Sequence, residues 1–532
     1  MMEVFVASTT PAFTRLPVEL FTMVLDQRYS SSSRTWSGDI VDHATLKSLR
    51  LACRQYAYLP RLLEKLFHGI RLVASSEQVY LAETLDLSVI KPYVKSIAME
   101  PSKYSWAMTK DTFQDIVLVT PLQQFCYAMN RKGLQTMRTG KDFSNPIPIG
   151  RDQFADLGLT GFVQQYMDGK MPFSSAEIGE GFEHYMQHAR CIHDMFETQQ
   201  VQRAWTRVCM QLPNVQVFRV GRWEFDGRGE SNWRNLGCDV QPHEHYYGRG
   251  HDKAVCRRLQ EPVGEALYST AIASLAAARA KITQLDIECV VDGNFAWARN
   301  GALDGLDLAN LEILTFGPLG AEPREDYGSG SEREAAVHAH CNHAITTLLR
   351  KCSTSLQKLV LFPNFSCYDM DWPPSDITVP NEPLAFPALK SFTTGISLRL
   401  SSFTLFLHQC PVLEYLQLDG CHGDDGEWRE LWDAIRNHPN RMTLKLDQLP
   451  CNSYAEVGVC HHTGEASGTA FSSDPWDNIG YSLENYLSGR RHWDRSLRMW
   501  FDEGSEESSE EEDSDESADE DMDSGSEVEE DE

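Results

Sequence analysis

A short pattern, apolar-x-x-apolar-x-apolar, recurs along this chain. It stands at Val94-Ile97-Met99, Val215-Phe218-Val220, Ile282-Leu285-Ile287, Leu311-Leu314-Phe316, Leu356-Leu359-Leu361 and Leu413-Leu416-Leu418, with weaker copies at Leu389-Phe392 and Leu444-Leu446. The last two apolar positions of each full copy are two residues apart, which puts them on one face of an extended strand. Amphipathic stretches precede several copies: Glu197–Gln211, Gly264–Lys281, Ser331–Cys352 and Leu400–Gln409. Each reads as a helix, and Ser331 with Glu334 spells a capping box at the start of the third. A repeated helix–turn–strand unit buries its apolar face on the next unit, so the pattern predicts a stacked α/β body.

The unit resembles a leucine-rich repeat. Cys410–Cys421 (CPVLEYLQLDGC) is closest to the cysteine-containing repeats that often follow an F-box. Strand starts at 215, 282, 311, 356, 389 and 413 give steps of 67, 29, 45, 33 and 24 residues. Regular repeats run roughly 20–29 residues, so the expected body, residues 76–450, is an irregular solenoid with long insertions. Those insertions fall near 221–260, 321–330 and 363–387. The first is rich in Gly, Arg, His and aromatic residues, and the last holds six prolines in 25 residues. Cys451–Asp474 is Ser/Gly-rich and reads as a loop. Trp476–Phe501 is apolar enough to dock behind it as a C-terminal cap, and Asp424-Asp425 reads as a turn.

Ahead of the body, residues 14–75 read as three short helices leading into a strand at Ile70–Val73, after a flexible stretch at 1–13. Leu16-Pro17-Val18-Glu19-Leu20 opens the first helix, with Pro17 suited to a first-turn position. Leu16, Leu20 and Val24 share its apolar face, with Phe21 and Leu25 alongside. Leu46, Leu49, Cys53 and Tyr56 form the stripe of the second helix. The third starts near Pro60, uses Leu62, Leu63, Leu66 and Phe67, and stops at Gly69. The run LPVELFTMVL…TLKSLRLACRQYAYLPRLLEKLF resembles the F-box of fungal F-box proteins, with about 20 residues (Asp26 to Thr45) between the first two helices. Gly181–Val220 loosely resembles the middle region of the same proteins.

The resemblance implies an α/β chain with an N-terminal three-helix box. That box would dock the Skp-type adaptor of a cullin ubiquitin ligase, and the body would capture a protein substrate. Leu16, Pro17, Glu19, Leu20, Val24, Leu25, Leu46, Leu49, Leu51 and Cys53 are then candidates for the adaptor interface or the box core. The alternative is a repeat scaffold that binds protein partners without any link to ubiquitination.

Charge narrows the partners. Residues 502–532 hold 19 Asp or Glu and no Lys or Arg, leaving 58 acids against 48 bases in the rest of the chain. Such a tail buries too little apolar surface to pack and is expected to be disordered. Ser508, Ser509, Ser517, Ser524 and Ser526 each have an acid three residues on, the pattern acidophilic kinases favour. The charge of the tail suits contact with basic proteins or with basic patches on the body. Nucleic acid is not an expected partner, because that affinity comes from Lys and Arg neutralising phosphates. No run reaches 18 apolar residues and the N-terminus lacks a basic, then apolar leader, so neither membrane span nor secretory signal is expected. Fourteen scattered cysteines without CxxC read as reduced, mostly buried thiols of an intracellular protein of the cytoplasm or nucleus.

No phosphate loop, GxGxxG, GxSxG or HExxH occurs, so no catalytic role, cofactor or metal is expected. Three His-bearing groups have residue types that can ligate metal. His184 and His188 with Cys191 lie at helical spacing but lack a fourth ligand. His338, His340, Cys341 and His343 would point in several directions from one helix. His243, His245, His251 and Cys256 lie in the 221–260 insertion.

Overall fold

Every copy of the apolar pattern forms a strand. The structure, a computed structural model, describes residues 58–102, 104–114, 175–221, 253–319, 332–361, 384–396, 398–419, 423–425, 428–451, 455–460, 483, 485–493 and 497. The strands are β1 (Gly69–Val73), β2 (Ser96–Glu100), β3 (Val217–Val220), β4 (Gln284–Val291), β5 (Ile313–Leu319), β6 (Lys358–Leu361) and β7 (Ser391–Thr394). They continue with β8 (Leu398–Arg399), β9 (Tyr415–Asp419), β10 (Gly423–Asp425), β11 (Thr443–Cys451) and β12 (Ala455–Cys460). Ten of them form one sheet in the order β1-β2-β3-β4-β5-β6-β7-β9-β11-β12, while β8 pairs with β10 apart. The first nine run parallel, each added beside its predecessor, and β12 closes the sheet antiparallel to β11.

The register explains why the pattern repeats. Ile97, Phe218, Leu285, Leu314, Leu359, Phe392, Leu416 and Leu444 stand opposite one another across successive strands. Met99, Val220, Ile287, Phe316, Leu361, Thr394 and Leu418 form the second row, and both rows are buried. The first apolar residue of each motif, from Val94 to Leu413, is buried in the turn before its strand. There one hydrogen-bond pattern recurs. The carbonyl oxygen of Gln216 accepts from the N–H groups of Thr283 and Gln284, that of Thr283 from Glu312 and Ile313, and that of Glu312 from Gln357 and Lys358. Gln357 and Lys390 repeat it with the next units. Each unit thus satisfies its turn donors on the previous unit, which fixes the register of the next strand.

Helices cover the apolar face. They are α1 (Pro60–Phe67), α2 (Ser76–Thr84), α3 (Ser175–Glu197), α4 (Gln200–Gln211), α5 (Lys253–Ala277), α6 (Ala296–Arg299), α7 (Glu332–Cys352), α8 (Leu400–His408) and α9 (Trp428–Arg436). Trp205, Leu267, Tyr268, Ile272, Leu348, Phe403, Phe406 and Trp432 join the strand rows in one continuous core. A smaller cluster packs Tyr104, Met108 and Phe113 against Ile178, Tyr185 and Met186 of α3. The Tyr185 hydroxyl accepts from the Ser105 N–H at 2.7 Å, and burial raises its pKa well above the ordinary tyrosine value.

Several expectations need correction. The insertion placed at 221–260 is shorter, because α5 begins at Lys253 rather than Gly264 and carries Pro262 inside it. The expected helix Glu197–Gln211 is α4 alone, divided from α3 at Gln199, whose φ of 57° is left-handed. Cys451 and Ala455–Cys460, read as loop, are strand, since the sheet's last edge takes an antiparallel hairpin partner. Asp424-Asp425 lies in β10 rather than a simple turn. In the expected capping segment, Leu483, Tyr486, Trp493 and Leu497 are buried in the main core. There the Tyr486 hydroxyl donates to Asp433, and the Arg436 guanidinium lies 5.2 Å from its ring centre. Ser331 of the capping box and the segments 1–13 and 502–532 lie outside the described residues, and no helix among those described is long and apolar enough to cross a membrane.

Candidate functional site

The candidate adaptor residues Leu16, Pro17, Glu19, Leu20, Val24, Leu25, Leu46, Leu49, Leu51 and Cys53 lie outside the described residues. What is placed is the third predicted box helix, α1. Pro60 sits in its first turn, where no N–H partner is needed, and Leu62, Leu63 and Leu66 are buried. One residue, His68, separates it from β1.

The face of the sheet opposite the helices carries the second candidate surface. Its central row reads Arg71, Ala98, Arg219, Asp286, Thr315, Val360, Thr393, Gln417 and Lys445 from β1 to β11. Charge is concentrated on β1 to β4. Arg71 grips Glu100 with two hydrogen bonds of 2.5 Å, and Arg219 Nε lies 3.3 Å from Asp286 Oδ2. Gln284 Nε2 donates to the same oxygen at 2.9 Å, while Asp286 Oδ1 is buried without a hydrogen-bond partner. Asp286, Thr315 and Val360 are only 2–3% exposed. Contact on this face is therefore open at its flanks, at Arg71 and Arg219 and again at Thr393, Gln417 and Lys445, and closed at the centre.

A third surface was not anticipated. One face of α4, from Gln199 at its start to Gln211 at its end, borders with the end of α5 an open groove of about 520 Å³, lined also by Arg203, Thr206, Arg207, Met210 and Ala277, with no acid among the described residues that line it. Arg203 and Arg207 are exposed, as are Arg279 and Lys281 just beyond Ala277. Met210 is 64% exposed. Gln211 ties this end of α4 to the chain after α2, accepting from the Leu87 N–H and donating to the Leu85 carbonyl oxygen. Among the described residues, six of the seven large exposed apolar side chains (Tyr58, Tyr80, Leu81, Leu85, Val89 and Met210) belong to these first units. The groove was invisible in sequence because its cations come from segments about 70 residues apart.

Among the described residues, no three His, Cys, Asp or Glu side chains converge on one point. The His188 ring stacks on Tyr104 and meets His184 edge-on, while Cys191 is exposed. On α7, Cys341 is buried, His343 is exposed, and His338 and His340 are half-buried. His243, His245 and His251 lie outside the described residues. Cys209, Cys341, Cys352 and Cys410 are buried thiols, and burial pushes Cys209 and Cys352 up to about 12, which makes them poor nucleophiles.

One buried carboxylate has a structural task. Asp292 follows β4 and accepts from the N–H groups of Asn294 and Phe295 at 3.0 and 2.8 Å, and from Trp297 Nε1 at 3.0 Å. It holds the turn that places Phe295 at a φ of 46° and starts α6.

A scan against protein-family models finds no family that matches this chain, and a search of curated proteins returns no match.

Proposed function

We propose that the chain is a non-catalytic substrate receptor of a Skp–cullin–F-box ubiquitin ligase, acting inside the cell. Residues 14–75 dock the Skp-type adaptor, and the body, an irregular leucine-rich-repeat-like solenoid, captures a protein substrate. The observation that carries this reading is the junction at His68. Helix α1, the last of the predicted box, passes through that one residue into the first strand of a sheet that grows strand by strand. The His68 carbonyl oxygen accepts from the N–H groups of Lys95 and Ser96, the turn bonds that join the later units. The helix is thus bonded into the stack. A receptor needs that stiffness, because it contributes proximity: the substrate must sit at a set distance from a conjugating enzyme held by the adaptor.

The test is a pull-down of the host's Skp-type adaptor with the full chain and with a Leu16→Asp/Leu20→Asp double variant. The wild type is expected to capture the adaptor. The variant, with an unchanged circular dichroism spectrum, is expected to lose at least about a hundredfold in affinity, since an unpaired charge on an apolar contact costs several kcal/mol. A wild-type chain that fails to bind the adaptor leaves a protein-binding scaffold unconnected to ubiquitination.

A further inference from the structure

We propose that the α4–α5 groove is a docking site for the chain's own acidic tail, residues 502–532; this is independent of the ligase reading. Helix α4 contains two arginines and no acid, and the chain from Ala277 to Lys281 adds Arg279 and Lys281, again with no acid. This local excess of positive charge stands out in a chain whose residues before the tail carry 58 acids against 48 bases. Arg207 makes no hydrogen bond or ion pair with another described residue, and Arg203 bonds only the Thr198 carbonyl oxygen, so both guanidinium groups are available to a carboxylate. Guanidinium groups favour paired carboxylate oxygens, which a run such as Glu510-Glu511-Glu512-Asp513 supplies at every register.

The tail can reach. From β3 to β11, near which the C-terminal cap docks, there are six strand spacings, about 29 Å along the sheet. An unpacked chain of the 35 residues after Leu497 has a root-mean-square span of about 33 Å and an extended limit of about 115 Å. Tethering holds the tail near the groove at an effective concentration on the order of millimolar, so weak, register-free pairing suffices. Phosphate on Ser508, Ser509 or Ser517 adds about −1.5 to −2 charges each and deepens the docking. Bound this way, the tail competes with any acidic partner for the exposed Arg203–Met210 edge.

The experiment places the photo-reactive residue benzoylphenylalanine at Met210 in the full chain and mixes isotopically heavy and light chains before irradiation. Cross-links are expected in 502–532, with one label only. Their yield should fall at least about tenfold in Arg203→Glu/Arg207→Glu, about threefold in Arg203→Gln/Arg207→Gln, and steeply between low and high salt. Cross-links outside 502–532, mixed-label products, or a yield indifferent to charge reversal would each overturn the proposal.

Discussion

Replacing Gly264 by alanine should destabilise the body by at least about 3 kcal/mol, seen as a large drop in the denaturant midpoint of the full chain. Gly264 lies inside α5, where its backbone rests on the end of β4. A Cβ there would stand 1.9 Å from the Val291 carbonyl oxygen, 2.9 Å from the Val291 carbonyl carbon and 2.8 Å from Val290 Cγ1. Two of these three atoms are backbone, so no rotamer change relieves the overlap. The helix must move off the strand, carrying the buried Val263, Leu267 and Tyr268 with it. Overpacking a core with one methyl typically costs about 1–3 kcal/mol, and a collision with fixed backbone belongs at or above the top of that range. Gly179 in α3 is the control. Its Cβ would find only Lys110 Nζ, at 3.7 Å, so Gly179→Ala should be neutral or stabilise by about 0.5–1 kcal/mol. Equal effects at the two sites would show that helix propensity, and not the close approach at β4, decides the outcome.

The same glycine marks where sequence and structure part. Pro262-Val263-Gly264 reads locally as a helix boundary, because proline removes a donor and glycine weakens a helix. Tertiary packing reverses that reading: the glycine is inside the helix because only a residue without Cβ lets α5 lie on Val291. The strands were legible because their apolar spacing is a local signal and the parallel register requires every unit to repeat it. Helix α9 carries a comparable signal in Trp428, Leu431, Trp432 and Ile435, whose i, i+3, i+4, i+7 spacing follows closely on Asp-Asp-Gly, a sequence that reads as a turn. Strand β12 had little signal of its own, since its extended form depends on the edge that β11 offers. The groove had none at all. Arg203 and Arg207 meet the end of α5 only because consecutive units stack, a relation that spacing along the chain does not encode.

Asp292→Asn should remove a pH dependence that the wild-type body carries, while Asp292→Ala should cost at least about 3 kcal/mol. Burial pushes the Asp292 carboxyl from 3.8 up to about 6, against the opposing pull of the Phe295, Asn294 and Trp297 donors. The folded state therefore holds this proton more tightly than the unfolded chain does. Stability from this group is fully present below about pH 4 and is lost as pH rises through about 6, to an extent of at most about 3 kcal/mol. Asparagine keeps an oxygen for the N–H groups of Asn294 and Phe295 and loses the acceptor for Trp297 Nε1, but it has no charge to bury. The difference in unfolding free energy between Asn variant and wild type should thus shift in favour of the variant between pH 4 and pH 7. A difference that stays constant across that window would mean Asp292 titrates as an ordinary carboxylate. Alanine leaves three donors without a partner, including the indole N–H of the buried Trp297, and each such loss costs about 1–3 kcal/mol. Because α6 then loses the turn that starts it, the damage should extend past β4 to Trp297 and Leu303, both part of the core beneath α5.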